Sequence, residues 1–240
     1  KTGNVNDAQM VRHIEELHVE AMVVIAFGQK ISEELIKGQR TMNLHASLLP
    51  RWRGAAPINA AVVHGDEHSG VSVITLAQTM DAGVVLGQVS TAIGETETAG
   101  ELHDRLAEIG PDLILQVLSG DGSGQTQDEA LVTYAPKLSR KDARLDLSQD
   151  AEAVARTIRG MSPWPCCHLT ISGIDCKILN AIAKNSNGEV GEVLEDGTIA
   201  TGKGSIEILE MKPAGSKTMS WKDFCNGRSI HAGCKCEVPQ

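Results

Sequence analysis

The chain has 240 residues, a length that can hold one large domain or two modest ones. A hydrophobic fraction of 41% and a charged fraction of 22% are ordinary for a soluble globular protein. No apolar run approaches about 18 residues and no signal-peptide pattern opens the chain, so we expect no membrane partner. The net charge of −9 argues against tight polynucleotide binding, although residues 141–240 contribute only −1 and leave room for a basic face there.

The first half of the chain alternates between helical and strand patterns. This alternation predicts an α/β sheet domain. Pro111 is expected to kink or split the last helix of the series. The expected elements are a helix from Asp7 to His18, a fully buried strand at 21–27, a helix at 32–37, a strand at 41–45, a helix from Pro57 to about His64, a hairpin of strands 71–77 and 84–90 around the turn Asp81–Gly83, and a helix at 99–118.

The second half becomes rich in short strands and turns after a charged stretch near 137–147. A short helix is expected at 151–159, and the strands that follow are separated by Gly, Asn and Asp, which is typical of a small β-barrel. These strands are expected at 168–172, 176–180, 188–194, 198–201 and 205–210.

All six cysteines lie in this half, at 166, 167, 176, 225, 234 and 236. They lack the spacing of a disulfide framework, which is typical of a reducing cytosol. His231, Cys234 and Cys236 invite a zinc interpretation, but a C-x-C pair at a chain end lacks the second pair that zinc sites use. We therefore predict no metal site and a cytoplasmic location.

Three residues are the candidate catalytic groups. Asn43 and His45 emerge on the same side of the strand at 41–45, about 6–7 Å apart, because side chains alternate faces along a strand. An amide donor beside an imidazole suits a reaction that develops negative charge on a carbonyl oxygen, and Asp81 can orient or charge the histidine. The pattern indicates acyl transfer. On spacing alone, a structural histidine and turn-forming roles for Asn43 and Asp81 remain open.

Longer motifs surround these residues. The run NLHASLLPRWRGAAPI at 43–58 and the segment MDAG at 80–83 resemble the signatures of the folate-dependent formyltransferases. TYAPKLSRKDARLD at 133–146, SPWP at 162–165 and KPAGSKTMS at 212–220 resemble the linker and C-terminal domain of the members that formylate charged initiator tRNA. The resemblance implies a Rossmann-like catalytic domain at 1–135 whose first strands are missing from this chain, a linker at 136–147, and an OB-like β-barrel at 148–240.

The resemblance also implies roles for the candidate residues. Asn43 donates to the formyl oxygen, His45 stabilises the same charge as a cation, and Asp81 favours the cationic histidine and takes the proton of the attacking amine through water. The formyl donor is 10-formyltetrahydrofolate, and no metal takes part. The residues expected to contact this reduced folate are Ser47, Leu48, Leu49, Pro50, Phe27, Gly28 and Ile31.

The expected partner of the second domain is charged initiator tRNA, with the protein acting as a monomer. The residues expected to contact the phosphates of this tRNA are Arg156, Arg159, Lys212 and Lys217. Arg51 and Arg53 are candidates for contacts with the folate tail or with tRNA phosphates. Alternatives remain open: a formyltransferase acting on a sugar nucleotide or another small amine, or a non-catalytic module that binds folate or tRNA. The C-terminal motifs favour the tRNA-acting enzyme.

Overall fold

The computed structural model describes residues 3–37 and 40–239, and these divide into two compact units. The described residues of unit 1 fall within Lys1–Pro57, Ser69–Thr91 and Arg105–Ala135. Those of unit 2 fall within Ile58–His68, Ala92–Asp104 and Pro136–Gln240. The boundaries expected from the sequence, with a linker at 136–147, remain a prediction.

The elements up to residue 135 follow the predicted alternation. The helix beginning at Pro57 and the two neighbouring strands around Asp81 are confirmed, and Pro111 lies inside one continuous helix. Within the described part of the chain, no helix is long and apolar enough to cross a membrane. The elements are α1 Ala8–Glu16, β1 Ala21–Ile25, α2 Glu33–Ile36, β2 Arg40–His45, β3 Arg53–Gly54, α3 Pro57–His64, β4 His68–Thr75, β5 Val85–Ala92, α4 Ala99–Ser119 and β6 Tyr134–Ala135.

The main sheet of unit 1 has the strand order β1-β2-β4-β5. β1 runs parallel to β2, with Ile25 opposite Leu44, and β4 runs antiparallel to β2. The prediction of a fully buried strand at 21–27 was wrong: β1 lies at the edge of the sheet, its residues are half-buried, and Ile25 is 57% exposed. An apolar run marks a strand but does not distinguish a central strand from an edge strand.

Helix α4 packs closely on this sheet because two glycines allow the approach. A Cβ at Gly110 would lie 2.6 Å from Cδ2 of Leu44 on β2. A Cβ at Gly87 on β5 would lie 2.9 Å from Cγ2 of Val117 on the helix. Larger residues at these two positions would crowd the side chains of Leu44 and Val117, so the glycines allow close packing of the helix on the strand that carries the candidate catalytic residues.

Unit 2 contains an antiparallel, barrel-like sheet with the strand order β11-β7-β8-β10-β9. The predicted fold class, an α/β formyltransferase domain followed by a small barrel, is confirmed. The strand predicted at 188–194 was wrong, since only isolated bridges form at Glu192 and Val193, and Gly191 has a φ of +83°. The elements are α5 Ala151–Gly160, β7 Cys167–Ile171, β8 Ile174–Lys184, β9 Ile199–Ala200, β10 Ser205–Pro213, α6 Trp221–Arg228 and β11 Cys236–Glu237.

One hydrophobic core holds unit 2 together. Ile158 of α5 is fully buried, and the inward residues of β7, Leu169 and Ile171, are fully buried as well. Helix α6, which was not predicted, adds Trp221 and Phe224, whose stacked rings lie 5.8 Å apart. Burial of each of these large side chains contributes about 1.5–3 kcal/mol to the stability of unit 2.

Two aspartates at the N-termini of α-helices provide a matched test of this fold. Asp150 caps α5 and accepts a hydrogen bond of 3.0 Å from the Ala153 amide, whereas Asp7 precedes α1 and makes no such bond. We expect Asp150→Ala to lower the free energy of unfolding by about 1 kcal/mol. Asp7→Ala is expected to have a much smaller effect in the same urea titration. Equal losses in both variants would contradict this account of the cap.

Candidate active site

The structure brings His45 and Asp81 together in unit 1. His45 is the last residue of β2 and is buried, and Asp81 lies in the turn between β4 and β5. The ring Nδ1 of His45 lies 3.7 Å from Oδ2 of Asp81, and the Asp81 side chain is 13% exposed. This distance is too long for a direct hydrogen bond but short enough for strong attraction between an imidazolium and a carboxylate in a poorly hydrated site.

The other ring nitrogen of His45 is committed to the backbone. Nε2 lies 2.8 Å from the carbonyl oxygen of Trp52, and a carbonyl can only accept. Nε2 therefore carries a proton, and Nδ1 is the nitrogen that faces Asp81. Trp52 has a φ of +64°, unusual for a bulky residue, and its own amide donates to Oγ1 of Thr133 at 2.9 Å. The loop backbone thus determines the orientation and tautomer of the histidine.

Asp81 is held by a second backbone group. Its Oδ2 accepts a 2.8 Å hydrogen bond from the amide of Gly54. Gly54 has a φ of +118°, and a Cβ there would lie 2.5 Å from the carbonyl oxygen of Ala135, its partner in the β3–β6 pairing. Only glycine fits this position, so the glycine of the sequence Arg-Trp-Arg-Gly allows the backbone to reach the carboxylate.

Asn43 lies two residues before His45 on β2, and alternation places its side chain on the same face of the strand. It is half-buried between Val24 of β1 and Ile74 of β4 in the strand register. Among the described residues, no hydrogen bond to its side-chain amide is found. The amide donors of Asn43 are therefore available to a bound molecule.

The predicted folate loop, Ser47 to Pro50, is rigidly connected to the sheet. Oγ of Ser72 donates to the Ser47 carbonyl at 2.6 Å and accepts from the Leu49 amide at 3.1 Å. Ser47 and Leu49 are buried, so their polar groups are used inside the protein, whereas Leu48 and Pro50 remain half-buried. Of the four predicted residues, Leu48 and Pro50 offer the surface that a ligand can contact.

The second predicted wall begins where β1 ends. Phe27 is 43% exposed, and Gly28 is exposed as well. Because β1 and β2 are parallel, the residues that follow β1 and the residues that follow His45 both lie at the carboxyl ends of these strands. Ile31 lies instead in a surface cleft. Among the described residues that line this cleft, Ile31 is the one predicted folate contact. The cleft is lined by Asn6, Lys30, Ile31, Ser32, Glu33, Ile36, Ala77 and Gln78.

The His231 and Cys234 pair noted in the sequence forms a local contact. His231 Nδ1 lies 3.1 Å from the Cys234 sulfur, and this contact raises the pKa of His231. The backbone of His231 is the main reason that the pKa of Cys234 is lowered, with the imidazole adding to it. In the described part of the chain, no group of three histidine, cysteine or acidic residues is arranged to hold a metal ion.

Sequence reasoning missed a buried polar network beside Asp81. The side chain of Arg53 is 2% exposed, and its Nη2 lies 2.8 Å from Glu129, so the expected role of Arg53 in binding phosphates was wrong. Gln127 joins Arg53 to the Asp81 turn. Residues 120–128 are polar and rich in glycine, a composition typical of a surface loop. Gln127 and Glu129 lie 74 and 76 residues after Arg53. No local sequence pattern predicts contacts over that separation.

The sequence of this chain matches the models of two known domain families. The formyl transferase family model matches residues 2–118, and the model of the formyl transferase C-terminal domain matches residues 137–229. A methionyl-tRNA formyltransferase of Pseudomonas putida (strain GB-1) is 42% identical over 232 residues, covering 92% of this chain and 74% of the relative. One from Methylococcus capsulatus is 37% identical, covering 89% and 73%.

A solved structure shows the same fold at lower identity. HypX from Aquifex aeolicus, crystallised with tetrahydrofolic acid, superposes with a TM-score of 0.67 at 22% identity. The match covers 90% of this chain and 40% of HypX. The resemblance drawn from the motifs at 43–58 and 80–83 is thus confirmed, and the chain belongs to the formyl transferase family.

Proposed function

We propose that this chain transfers a formyl group from 10-formyltetrahydrofolate to the amino group of methionyl initiator tRNA. The observation that carries the proposal is the buried His45–Asp81 pair at the end of β2, with Asn43 on the same strand face. The names of the relatives that are about 40% identical over nine-tenths of the chain support the same activity. The catalytic roles of the three residues are part of the proposal.

Asn43 and His45 act on the formyl oxygen. The bound folate supplies an electrophilic formyl carbon, and the amine that attacks it drives negative charge onto that oxygen. The free amide of Asn43 donates to this charge, which is largest in the transition state. When it carries a proton, Nδ1 of His45 donates to the same oxygen, because Nε2 is already bound to the Trp52 carbonyl and the 3.7 Å gap to Asp81 is too long for a hydrogen bond that would occupy Nδ1.

Asp81 has two functions in this scheme. Its carboxylate places negative charge 3.7 Å from the His45 ring, and it accepts the proton that the attacking amine loses, through one water molecule. Oδ2 is held by the Gly54 amide, so the carboxylate does not have to reorganise during the reaction. Addition of the amine forms the new C–N bond, collapse of the oxyanion breaks the bond between the formyl carbon and the folate nitrogen, and that nitrogen takes up the proton that the amine released to Asp81.

The residues present fit a reduced folate. Apolar surface is present at the carboxyl ends of β1 and β2, where it is formed by the half-buried Leu48 and Pro50 and the exposed Phe27. Open α/β sheets bind ligands at the carboxyl ends of their strands. The Ser72 contacts make the loop at 47–50 preformed, which lowers the ordering cost of binding. We place the folate ring against this loop and the residues after β1.

The basic surface proposed for tRNA differs from the one expected from the sequence. Arg159 is buried and donates to the Ala181 carbonyl at 2.9 Å, so its assignment to phosphate binding was wrong. In its place, Lys177 and Lys212 lie opposite each other on the adjacent strands β8 and β10, and His168 of β7, which pairs with Asp175 at 3.0 Å, lies opposite Lys177 on the other side. Like charges placed opposite each other destabilise a sheet unless an anion neutralises them, so we assign this row to the tRNA backbone.

Transfer to a small amine is the other candidate. Several sugar N-formyltransferases share the fold, with TM-scores of 0.56 to 0.64, at no more than 23% identity. The relatives of about 40% identity favour the tRNA substrate over this alternative. The monomeric state and cytoplasmic location expected from the sequence remain predictions.

Removing any member of the site is expected to slow formyl transfer. Asn43→Ala, His45→Ala and Asp81→Asn should each lower kcat/KM for charged tRNA at least about 10²-fold, since one donor to a developing oxyanion contributes about 3–4 kcal/mol. All three variants should still bind reduced folate in an equilibrium titration. The measurement is the rate of formyl transfer to methionyl-tRNA by the purified variants.

A surface pair provides the matched control. His103 and Asp104 lie 3.0 Å apart, but both are exposed on α4. His103→Ala and Asp104→Asn should leave the rate unchanged. Near-full activity in His45→Ala would show that the catalytic assignment is wrong.

The cationic row is tested through salt dependence. Lys177→Gln with Lys212→Gln should weaken tRNA binding and reduce the slope of log affinity against log salt by roughly 0.7–0.9 for each phosphate that the variant no longer neutralises. Lys184→Gln with Lys235→Gln removes the same charge, but from lysines that pair with Glu207 and Glu189. An equal change of slope in both double variants would contradict a specific role of the row.

A further inference from the structure

Gln127 occupies a buried position between Arg53 and the turn that carries Asp81. Its Nε2 donates to the Asp81 carbonyl at 2.7 Å and to the Gly83 carbonyl at 2.8 Å. Its Oε1 accepts from Nε of Arg53 at 3.0 Å. One side-chain amide therefore makes three hydrogen bonds, two of them to the backbone of a single turn.

The chemistry of the partners fixes the orientation of this amide. The two carbonyl oxygens can only accept, and the guanidinium of Arg53 can only donate. A flipped amide would lose all three bonds and place like groups against each other. Arg53 is itself locked by its two contacts to the Glu129 carboxylate, at 2.8 and 3.3 Å, which neutralise its buried charge.

These contacts close into a ring around Asp81. Arg53 holds the Asp81 backbone through Gln127, and the next residue, Gly54, holds the Asp81 carboxylate through its amide at 2.8 Å. The turn is tightly packed, because a Cβ at Gly83 would lie 1.7 Å from the Thr75 carbonyl, and Asp81 has a φ of +55°, a conformation that costs energy for a residue other than glycine. Such a conformation persists when surrounding contacts determine it from several sides.

We propose that Gln127 is a positioning residue for the formyl-transfer reaction, which holds the Asp81 turn so that the carboxylate stays at its working distance from His45. This inference rests on the proposed function. Gln127 acts through the donor side of its amide, and Arg53 keeps that side pointed at the turn. Without the amide, Asp81 relaxes away from His45, while the folate loop keeps its own support.

A second glutamine offers a matched comparison. Nε2 of Gln88 donates to the Leu49 carbonyl at 2.9 Å and to Oγ of Ser72 at 2.8 Å. Gln88 thus supports the loop at 47–50 as Gln127 supports the turn at 81–83. The two residues are the same in type and similar in number of bonds, but Gln127 is buried whereas Gln88 is exposed, and they hold different parts of the candidate site.

The test compares Gln127→Leu, Gln127→Glu and Gln88→Leu in steady-state formyl transfer, with thermal melting as a check of folding. Gln127→Leu should lower kcat about 10- to 100-fold and leave the KM for the formyl donor within about twofold, because a misplaced catalytic group costs rate. Gln127→Glu keeps the acceptor for Arg53 but has no donor for the turn, so it should lose as much. Gln88→Leu should instead raise that KM about three- to tenfold, the loss expected from one or two hydrogen bonds.

The outcomes separate this inference from the function it rests on. Wild-type kcat in a folded Gln127→Leu or Gln127→Glu variant, beside an active wild type, would overturn the positioning role and leave the proposed function intact. A parallel drop in melting temperature for Gln127→Leu and Gln88→Leu, with no difference in their kcat and KM patterns, would overturn it too. A wild-type chain that binds folate but transfers no formyl group contradicts the proposed function, and this inference with it.

Discussion

The carboxylate of Asp81 and the imidazole of His45 are mostly removed from water and lie 3.7 Å apart, and the rest of the site depends on keeping them there. Burial of a carboxylate and an imidazole at this separation removes hydration from both polar groups. The protein offsets that loss with backbone groups, because the Trp52 carbonyl accepts from His45 and the Gly54 amide donates to Asp81. Both backbone groups come from one short loop, so a single segment orients both partners.

This arrangement explains why the loop between β2 and α3 has an irregular backbone. Trp52 and Gly54 both have positive φ angles, and β3 pairs with β6 over only two residues. A regular strand or helix would point its carbonyl and amide groups at its own neighbours. The irregular loop points them at the two catalytic candidates instead, and the strain is sustained by the contacts from Thr133 and Ala135.

Side-chain patterns in the sequence predicted the fold class, the hairpin around Asp81 and the shared face of Asn43 and His45. They predicted these because hydrophobic period, turn residues and strand alternation are local properties. Backbone donors and acceptors have no residue signature, so the roles of the Trp52 carbonyl and the Gly54 amide were not foreseen.

Other features could not be predicted because they depend on distant parts of the chain. The bonds from Arg53 to Gln127 and Glu129 span 74 to 76 residues. The exposure of Ile25 depends on which strands flank β1, and the burial of Arg159 depends on its contact with Ala181. The basic residues expected to bind phosphates were chosen by type alone, and two of them, Arg53 and Arg159, proved to be structural.

Unit 2 contributes in a different way. Its outer face presents a lysine of β8 opposite a lysine of β10. Under the proposed function, these lysines place positive charge on an otherwise acidic chain and position the tRNA backbone without reading its sequence. In that proposal, chemistry belongs to unit 1 and tRNA binding to unit 2.

A double-mutant cycle on His45→Gln and Asp81→Asn tests the central claim, that the two residues act as one catalytic pair. If they do, the double variant should transfer formyl groups no more than about tenfold more slowly than the slower single variant, because the second change removes a function already lost. Losses that multiply, with the double variant slower by the product of the two single effects, would show that His45 and Asp81 act independently and would contradict the account.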